Sequence, residues 1–155
     1  MKANEITIDD YVWFKTNKLV CKITENHMSL EPTPRRLVSL EAPDGRRFCV
    51  PIEEIEGLAI TTEMLSDNGW KIESVKKLDG EVPMYAYYPL DDTDVSRYLE
   101  YYFHEGILRG YYNKELMYLS RPGIRDVHKL QHAFRENGVQ PELVIKNKTT
   151  NNEQQ

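Results

Sequence analysis

Between residues 6 and 60 the chain alternates apolar and polar positions with a period of two. Leu19, Cys21 and Ile23 share one side of an extended segment and Val20, Lys22 and Thr24 the other, which predicts a half-buried strand. Tyr11–Lys15, Arg36–Glu41 and Arg46–Val50 have the same strand character, and Asp9-Asp10, Thr16-Asn17 and Ala42-Pro-Asp-Gly45 supply turns. Neither proline of Glu31-Pro-Thr-Pro34 can donate to a ladder, so pairing is interrupted there. Closely spaced short strands of this kind predict a small, curled antiparallel sheet, an SH3-like β-barrel over residues 1–57. Ile52–Gly57 is expected to connect this barrel to a second module.

The pattern changes at Leu58. Thr61 to Gly69 predicts a two-turn helix with a threonine cap, an early acid and a glycine stop. Strands are expected at Trp70–Val75 and Met84–Tyr88. Next come three aromatic segments, Tyr98–His104, Ile107–Asn113 and Glu115–Leu119, joined by turns short enough for an antiparallel meander. In the first, Leu99, Tyr101 and Phe103 point one way and Tyr98, Glu100, Tyr102 and His104 the other.

From Ser120 the period becomes helical. Ser120 as cap, Pro122 in the first turn and Gly138 as a left-handed stop predict a helix over 121–137. Ile124, Val127, Leu130, Gln131 and Phe134 fall on its apolar face, with Arg125, Lys129, His132 and Glu136 opposite. A terminal strand is expected at Pro141–Lys146. The fold class is therefore α+β: an SH3-like barrel over 1–57, and over 58–146 an antiparallel β-meander packed with a C-terminal helix. The tail 147–155 has no apolar residue and is expected to be disordered.

Composition narrows the function classes. A chain of 155 residues has room for one ordinary core or two small ones. Its net charge of −5 argues against generic nucleic-acid binding, which takes clustered Lys and Arg. No run approaches the roughly 18 apolar residues needed to cross a bilayer, and acidic residues stand where a signal peptide would be apolar, so a cytoplasmic protein is expected. Cys21 and Cys49 lie in separate strand segments and are expected to be small core residues rather than a disulfide or metal pair.

Several segments together carry a resemblance: Ile8-Asp-Asp-Tyr-Val12, Thr62-Glu-Met-Leu65 with Asn68-Gly-Trp70, and Val127-His-Lys-Leu-Gln131 with Glu142-Leu-Val-Ile145. The chain resembles a group of short uncharacterised proteins found in phages, prophages and mobile elements of Bacteroidota. Asp9-Asp10 and the stretch around Glu31 to Pro34 depart from the group's usual form. The resemblance implies a phage or mobile-element origin and the host bacterial cytoplasm as location, and brings no catalytic residues with it.

Candidate chemistry is sparse. His128 and His132 stand four apart, a spacing that can put two imidazoles on one metal, but no third ligand is near and a hydrogen-bonded edge histidine is expected. Asp91-Asp-Thr-Asp94 lacks the glycine and distal glutamate of a calcium loop and is expected to be a solvated turn. Gln131, within the apolar stripe, is expected to tie the helix to backbone groups. A dispersed site from His104, Glu105 and Asp126 has nothing to favour it. There is no nucleophile elbow, phosphate-binding glycine loop or paired metal-binding cysteine motif, so no enzyme activity, metal or cofactor is expected.

What remains is binding. Tyr98, Tyr102 and Tyr111, with Tyr112 a further candidate, can form an adhesive surface with Arg109, since Tyr and Arg are enriched where proteins meet. The expected function is that of a non-enzymatic accessory protein binding a protein partner, either a host protein or a second copy of the chain. The alternative is nucleic-acid binding by the first module through Trp13, Lys15, Lys22, Arg35, Arg36, Arg46 and Arg47. An enzyme with a site between modules ranks third.

Overall fold

The computed structural model describes residues 1–2, 5–30, 34–90, 97–139 and 143–145. The tail 147–155, the acidic turn Asp91–Asp94 and Glu31–Thr33 lie outside them. The chain divides into two compact units, Met1–Leu58 together with the described residues Val144 and Ile145, and Ala59–Leu143. Among the described residues each unit is built on a five-stranded antiparallel sheet, and the second adds two helices, so the architecture is α+β.

In the first unit, β1 (Tyr11–Phe14), β2 (Leu19–Ser29), β3 (Arg35–Glu41), β4 (Arg47–Pro51) and β5 (Ile55–Gly57) pair in the order β4-β3-β2-β1-β5. The expected closed barrel is not formed among the described residues, because the edge strands β4 and β5 do not pair with each other. Ile52–Gly57 is more than a connector. After a 3-10 turn at Ile52–Glu54, β5 returns to pair with β1, setting Ile55 opposite Phe14. Both side chains are buried, and this apolar match is what recruits so short a segment into the sheet. Val12, Phe14, Cys21, Ile23, Val38, Leu40, Ile52 and Ile55 form the core. A bulge between Ile23 and Glu25 adds Thr24 to β2, and its hydroxyl donates to the Ser39 carbonyl at 3.2 Å. Cys21 is buried as expected, whereas Cys49 is exposed. It pairs with Ser39 on β3, one position out of phase with the core residues Val38 and Leu40, so the strand alternation turns it outward.

In the second unit, α1 (Thr62–Asp67) has the expected cap, Thr61 Oγ1 accepting from the Met64 N–H at 3.1 Å. The strands β6 (Lys71–Lys77), β7 (Gly80–Pro89), β8 (Arg97–Tyr102), β9 (Ile107–Tyr112) and β10 (Glu115–Leu119) form a meander in chain order. Ala86, Leu99, Tyr101 and Leu108 are buried on one face, together with Leu65, Trp70, Val127, Leu130 and Phe134. Phe134 stacks with Trp70, ring centroids 6.0 Å apart, and Trp70 in turn meets Tyr88 at 5.2 Å.

The C-terminal helix α2 spans Val127–Glu136, about one and a half turns shorter at its start than the period predicts. The residues before it are already engaged with the sheet. Gly123 N–H donates to the Glu105 carbonyl, Ile124 N–H to Gly106, and the Arg125 carbonyl accepts from Ile60, with Ala59 bridging to Asp126. Ser120 caps nothing: its hydroxyl accepts from Leu108 N–H and donates to the Arg121 carbonyl, each at 2.9 Å. The far end obeys the sequence signal. Gly138 N–H bonds to Arg135 and Val139 N–H to Phe134, a Schellman stop with Gly138 at φ 66°. Of the expected terminal strand, the described residues Leu143–Ile145 belong to no strand, and Pro141, Glu142 and Lys146 lie outside the described residues.

Candidate protein-binding face

Strand alternation sends Tyr85 and Tyr87 of β7, Tyr98, Glu100 and Tyr102 of β8, and Arg109 and Tyr111 of β9 to the side of the second sheet opposite the core residues Ala86, Leu99, Tyr101 and Leu108. The register then sets them in cross-strand rows. Tyr85 lies opposite Tyr102, Tyr87 opposite Glu100 and Glu100 opposite Arg109, and Tyr98 opposite Tyr111. Their rings form a ladder, with centroids 5.4 Å apart for Tyr85 and Tyr102, 5.2 Å for Tyr87 and Tyr98, and 4.8 Å for Tyr98 and Tyr111, the last pair stacked. These are the separations at which aromatic pairs attract beyond their burial.

The Arg109 guanidinium lies over the Tyr102 ring at 4.4 Å, and the Tyr102 hydroxyl donates to the Glu100 carboxylate. Burial, then the Glu100 carboxylate, pushes the Tyr102 hydroxyl well above the ordinary tyrosine range, and Tyr98 and Tyr85 are raised chiefly by burial. A hydrogen bond with Tyr111 and the surrounding phenols and carboxylate hold Arg109 firmly cationic. Its Nε is buried beneath the face and has no acceptor among the described residues. At the margin, Leu116 pairs across from Tyr111 and Leu119 from Arg109, both about half exposed, which extends the face with apolar surface.

The structure thus brings Tyr98, Tyr102, Arg109 and Tyr111 together as the alternation predicts. Tyr112 alternates away from Tyr111 and does not join the ladder. Tyr85 and Tyr87 belong to it although the sequence reading does not include them; the same alternation through Met84–Tyr88 carries the signal once β7 is aligned with β8.

No family model, curated protein or solved structure matches the chain.

The other candidate residues are scattered by comparison. In the first unit, Tyr11, opposite Lys22, and Trp13, two residues on, share a face, with the Lys22 ammonium 5.3 Å from the Tyr11 ring centroid. Arg46 is paired with Asp44 at 2.6 Å and Arg47 with Glu41 at 3.2 Å. Arg35 and Arg36 open β3 and alternate to opposite faces, and Lys15 lies in the turn after β1. His128 is buried rather than at the edge of its helix, its ring edge-on to His132 at 6.0 Å, because α2 directs Val127, His128 and Leu130 inward together. Gln131 is half-buried. His104 and Glu105 are exposed and Asp126 precedes α2, and among the described residues no group of three or more His, Cys, Asp or Glu side chains could hold a metal ion. No helix among them is long and apolar enough to cross a membrane.

Proposed function

We propose that the chain is a non-enzymatic accessory protein that binds a protein partner through the tyrosine ladder of its second sheet, in the setting of a phage or mobile element that the sequence resemblance suggests. The observation that carries the proposal is the register-locked cluster of Tyr85, Tyr87, Tyr98, Tyr102, Arg109 and Tyr111. Rings already stacked on one another lose little conformational freedom when a partner covers them, and Tyr and Arg are the residue types that dominate binding energy at interfaces. The partner expected is an apolar protein surface able to cover the ladder and its Leu116 and Leu119 margin. Tyr102→Ala and Arg109→Ala, compared with wild type in quantitative capture from host lysate, test it. Each variant is expected to lose a wild-type partner at least about tenfold, the effect of an interface hot spot. If both retain every partner, this face is not the binding surface.

The second reading, single-stranded nucleic acid on the first unit, draws on the joint placement of Tyr11, Trp13 and Lys22. Strand order β4-β3-β2-β1-β5 with a 3-10 turn before β5 supports an SH3-like description of that unit, an architecture that suits either function. Pairing of Arg46 and Arg47 with carboxylates leaves fewer cations for phosphate. Oligonucleotide affinity that fails to fall with rising salt would remove this reading.

A further inference from the structure

Cys49 and His27 meet on the outward face of the first sheet, in the unit that does not carry the tyrosine ladder. Cys49 stands on the edge strand β4 and His27 on β2, with β3 between them. His27 pairs with Leu37 and Cys49 with Ser39, so both side chains belong to the face opposite the core residues Val38 and Leu40. The thiol sulfur lies 3.8 Å from His27 Nε2, and Cys49 is exposed.

That separation suits a shared metal ion. Zinc bonds of about 2.3 Å to sulfur and about 2.0 Å to imidazole nitrogen place the two donors about 3.5 Å apart at the tetrahedral angle. The observed 3.8 Å needs an angle of about 124° or an approach of the two donors by about 0.3 Å. Imidazole and thiolate are the donor pair that zinc prefers, and neither ligand has to leave its strand to chelate. One chain, however, supplies two donors where zinc takes four, and among the described residues no third His, Cys, Asp or Glu completes the group.

We propose that Cys49 and His27 form half of a zinc site that a second copy of the chain completes, giving a Cys2His2 bridge between two first units. Binding is balanced by release of the thiol proton from each Cys49, the thiolate being the ligand. No redox step is involved. The exposed position of Cys49 on an outer strand leaves its donor available to a symmetry-related copy, and a two-fold arrangement brings the same two residues from each chain to one ion.

Full-length protein, stripped of metal by a chelator and kept in a non-thiol reductant, is measured by light scattering with size exclusion as Zn²⁺ is added. The expected result is a doubling of mass, saturating at one zinc per two chains and reversed by chelator. Cys49→Ser and His27→Gln each abolish the doubling while keeping the wild-type circular dichroism. Co²⁺ in place of zinc gives a thiolate charge-transfer band that Cys49→Ser removes. An unchanged mass on adding zinc overturns the proposal, as does a doubling that survives in both variants.

Discussion

Gly106 shows most directly how a single residue holds the second unit together. It sits at φ 65°, and a Cβ there would come within 2.8 Å of the Ile124 carbonyl oxygen and 2.9 Å of its nitrogen. Both are backbone atoms, and Ile124 N–H is bonded to the Gly106 carbonyl, so neither side can yield without losing the junction. Gly106→Ala is therefore expected to cost upwards of about 3 kcal/mol in urea unfolding. Gly45→Ala, where φ is 87° but the space is open, should cost only about 1 kcal/mol. The tyrosines give a second effect at this scale. Tyr118 donates to the Glu136 carboxylate at 3.1 Å, and burial, then that carboxylate, push its pKa up to about 12 from the ordinary 10.0. A folded state that holds its proton more tightly than the unfolded chain keeps this contribution in full below about pH 10 and loses it as pH rises towards about 12. Alkaline unfolding monitored by tyrosinate absorbance should show stability falling across that window, and Tyr118→Phe should flatten the fall. A Tyr118→Phe curve identical to wild type would show that this phenol does not contribute.

The beginning of α2 is the element where local signals and tertiary pairing compete. Ser120, Pro122 and the apolar period all favour a helix from residue 121, yet Gly123, Ile124 and Arg125 exchange backbone hydrogen bonds with Glu105, Gly106 and Ile60. A first helical turn satisfies no more backbone groups than those bonds do, and the extended path also lets the Tyr101 hydroxyl donate to the Ile124 carbonyl. Arg125 contributes further, donating to the carbonyls of Phe103 and His104. Two substitutions separate the readings. Ser120→Ala should destabilise by about 1 to 3 kcal/mol, because it withdraws the acceptor of the buried Leu108 N–H. Asp126→Ala, at the actual N-cap but making no capping hydrogen bond, should stay within about 0.5 kcal/mol. Equal losses in thermal unfolding would contradict this assignment of roles.

At the scale of the whole molecule, Val12, Ile23, Val38, Leu40 and Ile55 form an apolar cluster in the first unit, and Leu65, Trp70, Leu99, Leu108, Leu130 and Phe134 are buried residues of the second. Phe134 is 2% exposed and stacked on Trp70, so Phe134→Ala is expected to cost about 3 to 5 kcal/mol, a large share of a typical domain's stability. Hydrogen exchange provides the spatial readout. Amides of β6 to β10 should lose protection while those of β1 to β4 keep theirs. Uniform loss across both sheets would mean that the units unfold as one.

Strand and turn positions were legible in the sequence because they rest on local causes. The alternation of Leu19, Cys21 and Ile23, the Pro-Asp-Gly turn before β4, the Thr61 cap and the Gly138 stop act within a few residues of where they stand. The side of the sheet taken by Tyr98, Tyr102, Arg109 and Tyr111 was legible for the same reason, since each is fixed by its own strand's period of two. The tertiary structure alone decided the pairings between residues far apart in the chain. Ile55 finds Phe14 and turns a connector into β5, β7 brings Tyr85 and Tyr87 into the ladder, and His27 meets Cys49 across β3. Local pattern states which way a side chain points. Only the register between strands states what it meets there, because register is set by matching whole apolar faces.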